Sequence, residues 1–123
     1  MRVFKNKWFN RWAREGISDA ALLNAAAEII TGKVEADLGG CLFKKRLPRT
    51  GEGKSGGYRV VVGYRKHNTE RIIFLYAFAK NDRASMSAKE EGALSLAAES
   101  FISAGDKQVQ ELLAIGSIWE VLS

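Results

Sequence analysis

The sequence predicts an α+β fold in which two N-terminal helices precede an antiparallel β-sheet and a C-terminal helix. At 123 residues the chain has the usual size of one domain. Its apolar residues recur at helical spacing up to residue 32, alternate between residues 41 and 79, and return to helical spacing after residue 87. Helices before and after a meander of strands are typical of α+β domains. We therefore treat residues 1–123 as one domain, with residues 105–123 as a C-terminal extension of uncertain role.

Two helices are predicted ahead of the sheet. Apolar residues at helical spacing begin after Lys5 and end at Gly16. Ser18-Asp19 offers an N-cap for a second helix, whose apolar stripe stops at Thr31-Gly32. Val3-Phe4, which precedes both helices, is long enough only for a short edge strand.

Trp8 and Trp12 stand four residues apart in the first predicted helix. Two indoles at this spacing can form a platform on which nucleobases stack. On an amphipathic helix, however, the same spacing is typical of side chains that face the core. We therefore expect both indoles to pack in the core.

Three strands are predicted in the middle of the chain. The first runs from Cys41 to Leu47 and the second from Tyr58 to Lys66, and a turn at residues 67–69 leads to the third, from Arg71 to Ala79. The third strand is apolar on both faces, which predicts a central position in the sheet with cover on both sides.

The last part of the chain is predicted to be mainly helical. Ser87 is the N-cap of a helix that reaches about Ser103, and Glu90 completes a capping box with it. After Gly105 we predict a short helix over residues 106–114, and an apolar segment at residues 118–122 closes the chain.

The composition excludes several classes of protein. One cysteine and one histidine exclude an internal disulfide framework and a zinc site built from those ligands. The apolar runs fall short of the roughly 18 residues that a membrane span needs, and the charged N-terminus is unlike a secretory signal. We therefore expect a cytoplasmic protein with no membrane contact, no metal and no cofactor.

The basic residues are concentrated in the middle of the chain. The whole sequence holds 19 Lys and Arg against 14 Asp and Glu. Residues 41–83 hold 11 basic and three acidic residues, a net charge of +8, whereas the rest of the chain carries −3. A segregated basic block indicates a polyanionic partner, most often nucleic acid, although a solvated face that keeps the protein soluble has the same composition.

Three features imitate known sites without matching their context. Residues 51–56, GEGKSG, have the glycine spacing of a dinucleotide-binding loop and the end of a Walker A loop. Both loops lead into a helix, whereas a strand is predicted here, so the segment is either a flexible connection or a phosphate contact through Lys54. His67 is expected to be an exposed turn residue, and Cys41 a buried or half-buried apolar residue, rather than catalytic groups.

A series of short motifs spans residues 38–83. They are Leu-Gly-Gly before the first strand, Lys-Lys-Arg on it, Gly-Lys-Ser-Gly-Gly-Tyr-Arg at the second, and an aromatic strand that ends Phe-Ala-Lys-Asn-Asp-Arg. In this order and spacing they closely resemble the HigB-like branch of the RelE/ParE superfamily of toxins from bacterial toxin–antitoxin pairs. The resemblance covers roughly residues 1–104, and the tail from Gly105 has no counterpart.

The resemblance implies a RelE-like fold, with a twisted sheet flanked by helices, and activity as an mRNA endoribonuclease on ribosomes. It also implies a cognate antitoxin as partner, commonly a helix-turn-helix protein. Two other hypotheses stay open, namely a ParE-like gyrase poison and a nucleic-acid-binding module without catalysis. Asn81 and Ser87 stand where well-studied ribosome-dependent members carry an arginine and a tyrosine, so a tyrosine hydroxyl would have to come from elsewhere, such as Tyr76.

An RNA-cutting site without histidine is chemically reasonable. RNA supplies its own nucleophile, the 2′-hydroxyl, so the protein has to align it and stabilise a dianionic phosphorane. Clustered cations stabilise that dianion. Repulsion within such a cluster also lowers the pKa of a lysine, which allows a lysine to act as a general base.

The predicted catalytic residues are cations of the basic block. We predict Lys44 as the base and Arg46 and Arg59 as ligands of the transition-state phosphate, and alternation places the first two on one face of their strand. Lys80 and Arg83 are predicted proton donors or phosphate ligands. The cations predicted to bind flanking mRNA or the ribosome are Lys45, Arg49, Lys54 and Arg65. The alternative for each position is a solvated surface charge.

Overall fold

Four helices and six strands make up the part of the chain that the computed structural model describes, which is residues 1–14, 16–48, 57–66, 68–79 and 86–122. In chain order they are β1 (Arg2–Asn6), α1 (Lys7–Ala13), α2 (Asp19–Ile30), β2 (Ala36–Gly39), β3 (Leu42–Leu47), β4 (Tyr58–Arg65), β5 (Asn68–Ala79), α3 (Ala88–Ser103), α4 (Asp106–Ala114) and β6 (Ile118–Val121). The predicted α+β class is confirmed.

The strands form one sheet in the order β2-β3-β4-β5-β1-β6. The segment from β2 to β5 is an antiparallel meander. β1 pairs parallel to β5 and antiparallel to β6, so it lies inside the sheet. The prediction of an edge strand at Val3-Phe4 is wrong, because the C-terminal segment returns as β6 and covers the outer side of β1.

Two apolar cores lie on opposite faces of the sheet. One packs α1 and α2 against the sheet through residues such as Phe9 and Leu22, and the other packs α3 and α4 through residues such as Ala98 and Val109. β5 contributes alternate side chains to both cores, for example Phe74 to the first. The prediction that this strand is central and covered on both sides is confirmed.

Side-chain caps set the starts of three helices. Asn6 accepts a hydrogen bond from the Phe9 amide at 2.7 Å, so α1 begins at Lys7 and Lys5 remains in β1. Ser18 caps α2 as predicted. Ser87 and Glu90 form the predicted capping box of α3.

The two indoles of α1 have different environments. Trp12 packs against the core that contains Phe9, whereas Trp8 is 44% exposed and its ring lies 4.7 Å from that of Tyr76. The core prediction for Trp8 is therefore wrong. The buried residues of α1 are Phe9 and Ala13, and Trp8 flanks that stripe instead of lying within it.

β2 and its turn into β3 were not predicted. Gly39, Gly40 and Cys41 all have positive φ angles, of 81°, 56° and 64°. A Cβ atom on Gly40 would also collide with the side chain of Ser95, whose hydroxyl donates a hydrogen bond to the Gly40 carbonyl at 3.0 Å. Glycines therefore allow both the turn and the close approach of α3. Cys41 is half-buried as expected, but it belongs to the turn and not to the strand.

The β4–β5 hairpin is tighter than predicted. Arg65 pairs with Asn68, so Asn68 and Thr69 belong to β5 and not to the turn. His67 and the glycine-rich segment at residues 51–56 lie outside the described residues. Among the helices that are described, none is long and apolar enough to cross a membrane.

Candidate active site

Three of the predicted catalytic cations lie on one face of the sheet. Lys44 and Arg46 are alternate residues of β3, and Arg46 is the direct partner of Arg59 across β3 and β4. Alternate residues of a strand, and residues directly paired across strands, point to the same face. Lys44 is paired with Val61, which belongs to the α3-side core. The structure thus brings Lys44, Arg46 and Arg59 together on the α3 side.

Arg59 is buried and ion-paired. Only 6% of the residue is exposed, and its Nε atom lies 2.7 Å from Oε2 of Glu35 and 3.0 Å from Oε1. Its Nη1 atom is buried and has no hydrogen-bond partner among the residues that the structure describes. The alternative of a solvated surface charge is therefore wrong for Arg59. A buried guanidinium donor that lacks an acceptor is unfavourable unless an acceptor, such as a water or phosphate oxygen, reaches it.

Glu35 is the functional candidate that sequence reasoning missed. It precedes β2, and its backbone amide donates to the Lys44 carbonyl at 2.8 Å, which fixes it beside β3. Its carboxylate is exposed yet reaches the buried Arg59. The only indication in the sequence is an acidic residue six positions before the predicted strand that begins at Cys41. That spacing does not predict a contact between Glu35 and β4.

A polar groove of about 380 Å³ opens beside this group. Its lining residues are Lys33, Val34, Glu35, Lys45 and Arg46. Neither Lys44 nor Arg46 has an ion pair among the described side chains, and Arg46 is exposed. The groove thus presents unpaired positive charge next to a carboxylate that is already engaged by Arg59.

Two of the predicted RNA-binding cations either point away from the sheet face of Lys44, Arg46 and Arg59 or lie far along β4 from Arg59, although Lys45 also borders the groove. Lys45 points to the opposite face of β3, is buried, and pairs with Glu28 of α2 at 3.1 Å. Arg65 is exposed at the far end of β4, six residues from Arg59, a separation of roughly 20 Å along a strand. The structure does not bring either residue next to Arg59.

The remaining predicted site residues lie outside the described part of the chain. They are Arg49, Lys54, Lys80 and Arg83, together with Asn81. Ser87 is described, and it caps α3. In β5, Phe78 pairs with Arg59, and Tyr76 pairs with Val61. Tyr76 therefore lies on the strand next to Arg59, two residues along from the residue that pairs with it.

Nearly all of the sequence matches the model of a known protein family. The model of the RelE family, described as the RelE toxin of the RelE / RelB toxin–antitoxin system, matches residues 1–121. The chain belongs to the RelE toxin family. A search of curated proteins finds no significant match. The placement of this RelE-family toxin in a HigB-like branch stays a prediction.

The family match extends further than the resemblance drawn from the motifs. It includes α4 and β6, which the motif comparison left without a counterpart. In the structure this tail completes the sheet, because β6 pairs with β1 over four residue pairs from Val3–Val121 to Asn6–Ile118. Membership of the family implies that this toxin has an antitoxin partner.

Proposed function

We propose that this RelE-family toxin is an mRNA endoribonuclease that inhibits translation and acts on ribosome-bound message. The observation that supports it is the group of Lys44, Arg46 and Arg59 on one sheet face. One buried guanidinium nitrogen of Arg59 has no acceptor within the described part of the chain. A phosphodiester is the anion that suits such a group, because its non-bridging oxygens accept several charge-assisted hydrogen bonds at once.

The reaction we propose is attack of the 2′-hydroxyl on the neighbouring phosphate. Lys44 accepts the hydroxyl proton while the bond from O2′ to phosphorus forms, and Arg46 and Arg59 neutralise the phosphorane. The bond from phosphorus to O5′ then breaks, and Lys80 or Arg83 protonates the leaving oxygen. The products are a 2′,3′-cyclic phosphate upstream and a 5′-hydroxyl downstream. No metal ion or cofactor takes part.

We further propose that Glu35 positions Arg59. A carboxylate on Nε fixes the rotation of the guanidinium plane, so the remaining N–H groups keep one direction before the substrate arrives. Such preorganisation matters because donors that are already aligned cost no reorganisation in the transition state. Glu35 acts through Arg59 and needs no contact with RNA.

The partners we propose are ribosome-bound mRNA and a helix-turn-helix antitoxin. Lys45, Arg49, Lys54 and Arg65 remain proposed contacts to flanking mRNA or the ribosome. The positions of Lys45 and Arg65 make them weaker candidates than the other two, because Lys45 is already paired with Glu28 and Arg65 lies far from Arg59.

Induced expression without antitoxin tests the function. We expect growth to stop because translation stops, new mRNA 5′ ends to accumulate within reading frames, and co-expressed antitoxin to restore growth. A variant with Lys44→Ala and Arg46→Ala should not arrest growth at equal soluble abundance. Arrest of DNA replication with intact mRNA would favour a gyrase poison, and normal growth at high soluble expression would contradict toxicity. Cleavage should persist in excess EDTA, provided that a ribosome-dependent assay keeps its ribosomes intact.

A further inference from the structure

A second group of cations without ion pairs among the described residues lies on α1 and its C-cap, Arg14. Residues 1–14 contain five basic and no acidic residues. The net charge of the chain outside residues 41–83 is negative, so this local excess of basic residues does not show in that sum. Arg2 pairs with Glu120, and Lys5 pairs with Asp19. The other three cations are exposed and have no ion pair among the described residues, namely Lys7, Arg11 and Arg14.

These three cations form a ridge along one side of α1. Positions i, i+4 and i+7 of a helix lie on one face. The ridge borders a small groove of about 170 Å³, lined by Lys7, Asn10, Arg11, Arg14 and Trp119. Trp119 of β6 is 36% exposed at this groove, and Trp8 is exposed on the neighbouring side of α1, against Tyr76. Two partly exposed indoles thus border the ridge, namely Trp119 at the groove and Trp8, whose ring also stacks on that of Trp12 at 6.3 Å.

We infer that the α1 ridge, defined as Lys7, Arg11 and Arg14 with Trp8 and Trp119, is a second RNA-binding surface that takes a single-stranded segment. Cations that follow the sugar-phosphate backbone beside aromatic rings that stack on unpaired bases are what single-stranded nucleic acid requires. A duplex would satisfy the cations but would leave the indoles without exposed bases. An acidic protein segment would also pair with the cations, and comparison of RNA binding with antitoxin binding distinguishes the two partners.

The cations of the ridge lie on a different face of the sheet from Lys44, Arg46 and Arg59, although Trp8 contacts Tyr76, which lies one strand from Arg59. α1 packs on the α2 side of the sheet, whereas the catalytic candidates point to the α3 side. β6 is also four strands away from β3, which corresponds to roughly 19 Å of sheet. RNA held by the ridge is therefore a different part of the strand from the phosphate that is cut, and this inference does not depend on the nuclease activity.

Equilibrium binding of a fluorescent 2′-O-methyl RNA 16-mer to the full chain tests the inference, because this RNA resists cleavage. Lys7→Ala with Arg11→Ala should weaken binding at 0.1 M salt by about tenfold and lower the slope of log affinity against log salt by about 1.4. Lys89→Ala with Lys107→Ala removes the same charge from exposed positions of α3 and α4, and it should change affinity less than about twofold.

Substitutions of Trp119 test base stacking independently of charge. Trp119→Ala should weaken binding about fivefold to tenfold without changing the salt slope, and Trp119→Phe should restore most of the affinity, because a phenyl ring still stacks. The double variant Lys44→Ala, Arg46→Ala should lose cleavage. In that background Lys7→Ala with Arg11→Ala should still weaken RNA binding by the same factor.

Three results would overturn the inference. They are equal losses for the α1 and control pairs, tighter binding of a blunt RNA duplex than of the single strand, and loss of antitoxin binding with unchanged RNA affinity. Failure of the wild-type protein to cut mRNA would contradict the proposed nuclease function alone, since the binding measurement requires no cleavage.

Discussion

Glu35 holds the Nε atom of Arg59 at 2.7 Å, while the Nη1 atom of the same guanidinium is buried and finds no hydrogen-bond partner among the described residues. An unsatisfied buried donor costs roughly 1–3 kcal/mol, more for charged groups. A structural ion pair alone does not explain why that nitrogen is left unpaired. An incoming phosphate oxygen would satisfy it, which is why we place Arg59 at the centre of the proposed site.

Arg59→Ala should lower the single-turnover rate of RNA cleavage by about 10²–10³-fold, the usual cost of removing one preorganised donor to the transition state. Arg59→Lys should be intermediate, because the charge remains but the fixed fork of donors is lost. Lys107→Ala, at an exposed position of α4 outside the proposed site, is the control and should change the rate less than about twofold. Thermal unfolding of each variant shows whether it is folded, and a folded Arg59→Ala protein that cuts at the normal rate would exclude Arg59 from catalysis.

Glu35→Gln should slow cleavage by about tenfold with little change in KM, because the amide orients Arg59 less firmly than a carboxylate. Glu28→Gln is the matched control, since it breaks the Lys45 pair on the opposite face of β3 and should leave the rate unchanged. In an Arg59→Ala background Glu35→Gln should have no further effect. If it slows that background by the same factor, Glu35 does not act through Arg59.

The elements that were predicted well are those that are determined by residues close together in the sequence. The capping box at Ser87 and Glu90 marked the start of α3, and the two apolar faces of β5 marked a central strand. β2 was missed because Ala36–Gly39 is too short to show alternation. The position of β1 depends on β6, which pairs with it from more than 100 residues away.

The candidate site was predictable only in part for the same reason. Alternation alone places Lys44 and Arg46 on one face and Lys45 on the other. It does not give the register that pairs Arg46 with Arg59, and it cannot show that Glu35 reaches across to β4. Contacts between strands are set by packing of the whole sheet, so they become visible only in the structure.

Arg71 supports the fold and not the proposed chemistry. Its guanidinium donates to the carbonyls of Phe101 at 2.9 Å and Ala104 at 2.7 Å, and to Asp106 at 3.2 Å, so it joins the end of α3 to the start of α4. Arg71→Ala should lower the free energy of unfolding by about 3 kcal/mol, because it leaves buried carbonyls unpaired. Urea unfolding measures this loss. Cleavage per folded molecule should stay unchanged, and a selective loss of rate would contradict a purely structural role.

The Arg2–Glu120 pair should make stability depend on pH. Hydrogen bonds from the Arg2 guanidinium, at 2.8–2.9 Å, lower the pKa of Glu120 below its usual value. A carboxylate with a lowered pKa in the folded state stabilises the protein above the pKa of the unfolded state, about 4.3, and this contribution is lost as the pH falls through the folded value.

Glu120→Gln should therefore destabilise the protein by up to about 1 kcal/mol at pH 7, a limit set by the partial exposure of the pair, and by less at pH 3. Urea unfolding at the two pH values gives the difference. Glu111→Gln, at an exposed position of α4 with no ion pair among the described residues, is the control. A Glu120→Gln penalty that is as large at pH 3 as at pH 7 would mean that the carboxylate charge is not its source.

The central claim is that cations of one sheet face activate the 2′-hydroxyl of RNA, and a substrate with one 2′-deoxy group tests it most directly. The deoxy group is placed just before the scissile phosphate of an mRNA that the wild-type toxin cuts, in an assay that keeps the ribosomes intact. We predict that this substrate binds normally but is not cut, and that the unmodified one yields a 5′-hydroxyl and a 2′,3′-cyclic phosphate. Cleavage of the deoxy substrate at the normal rate, or a 5′-phosphate on the product, would contradict the account, because water would then be the nucleophile.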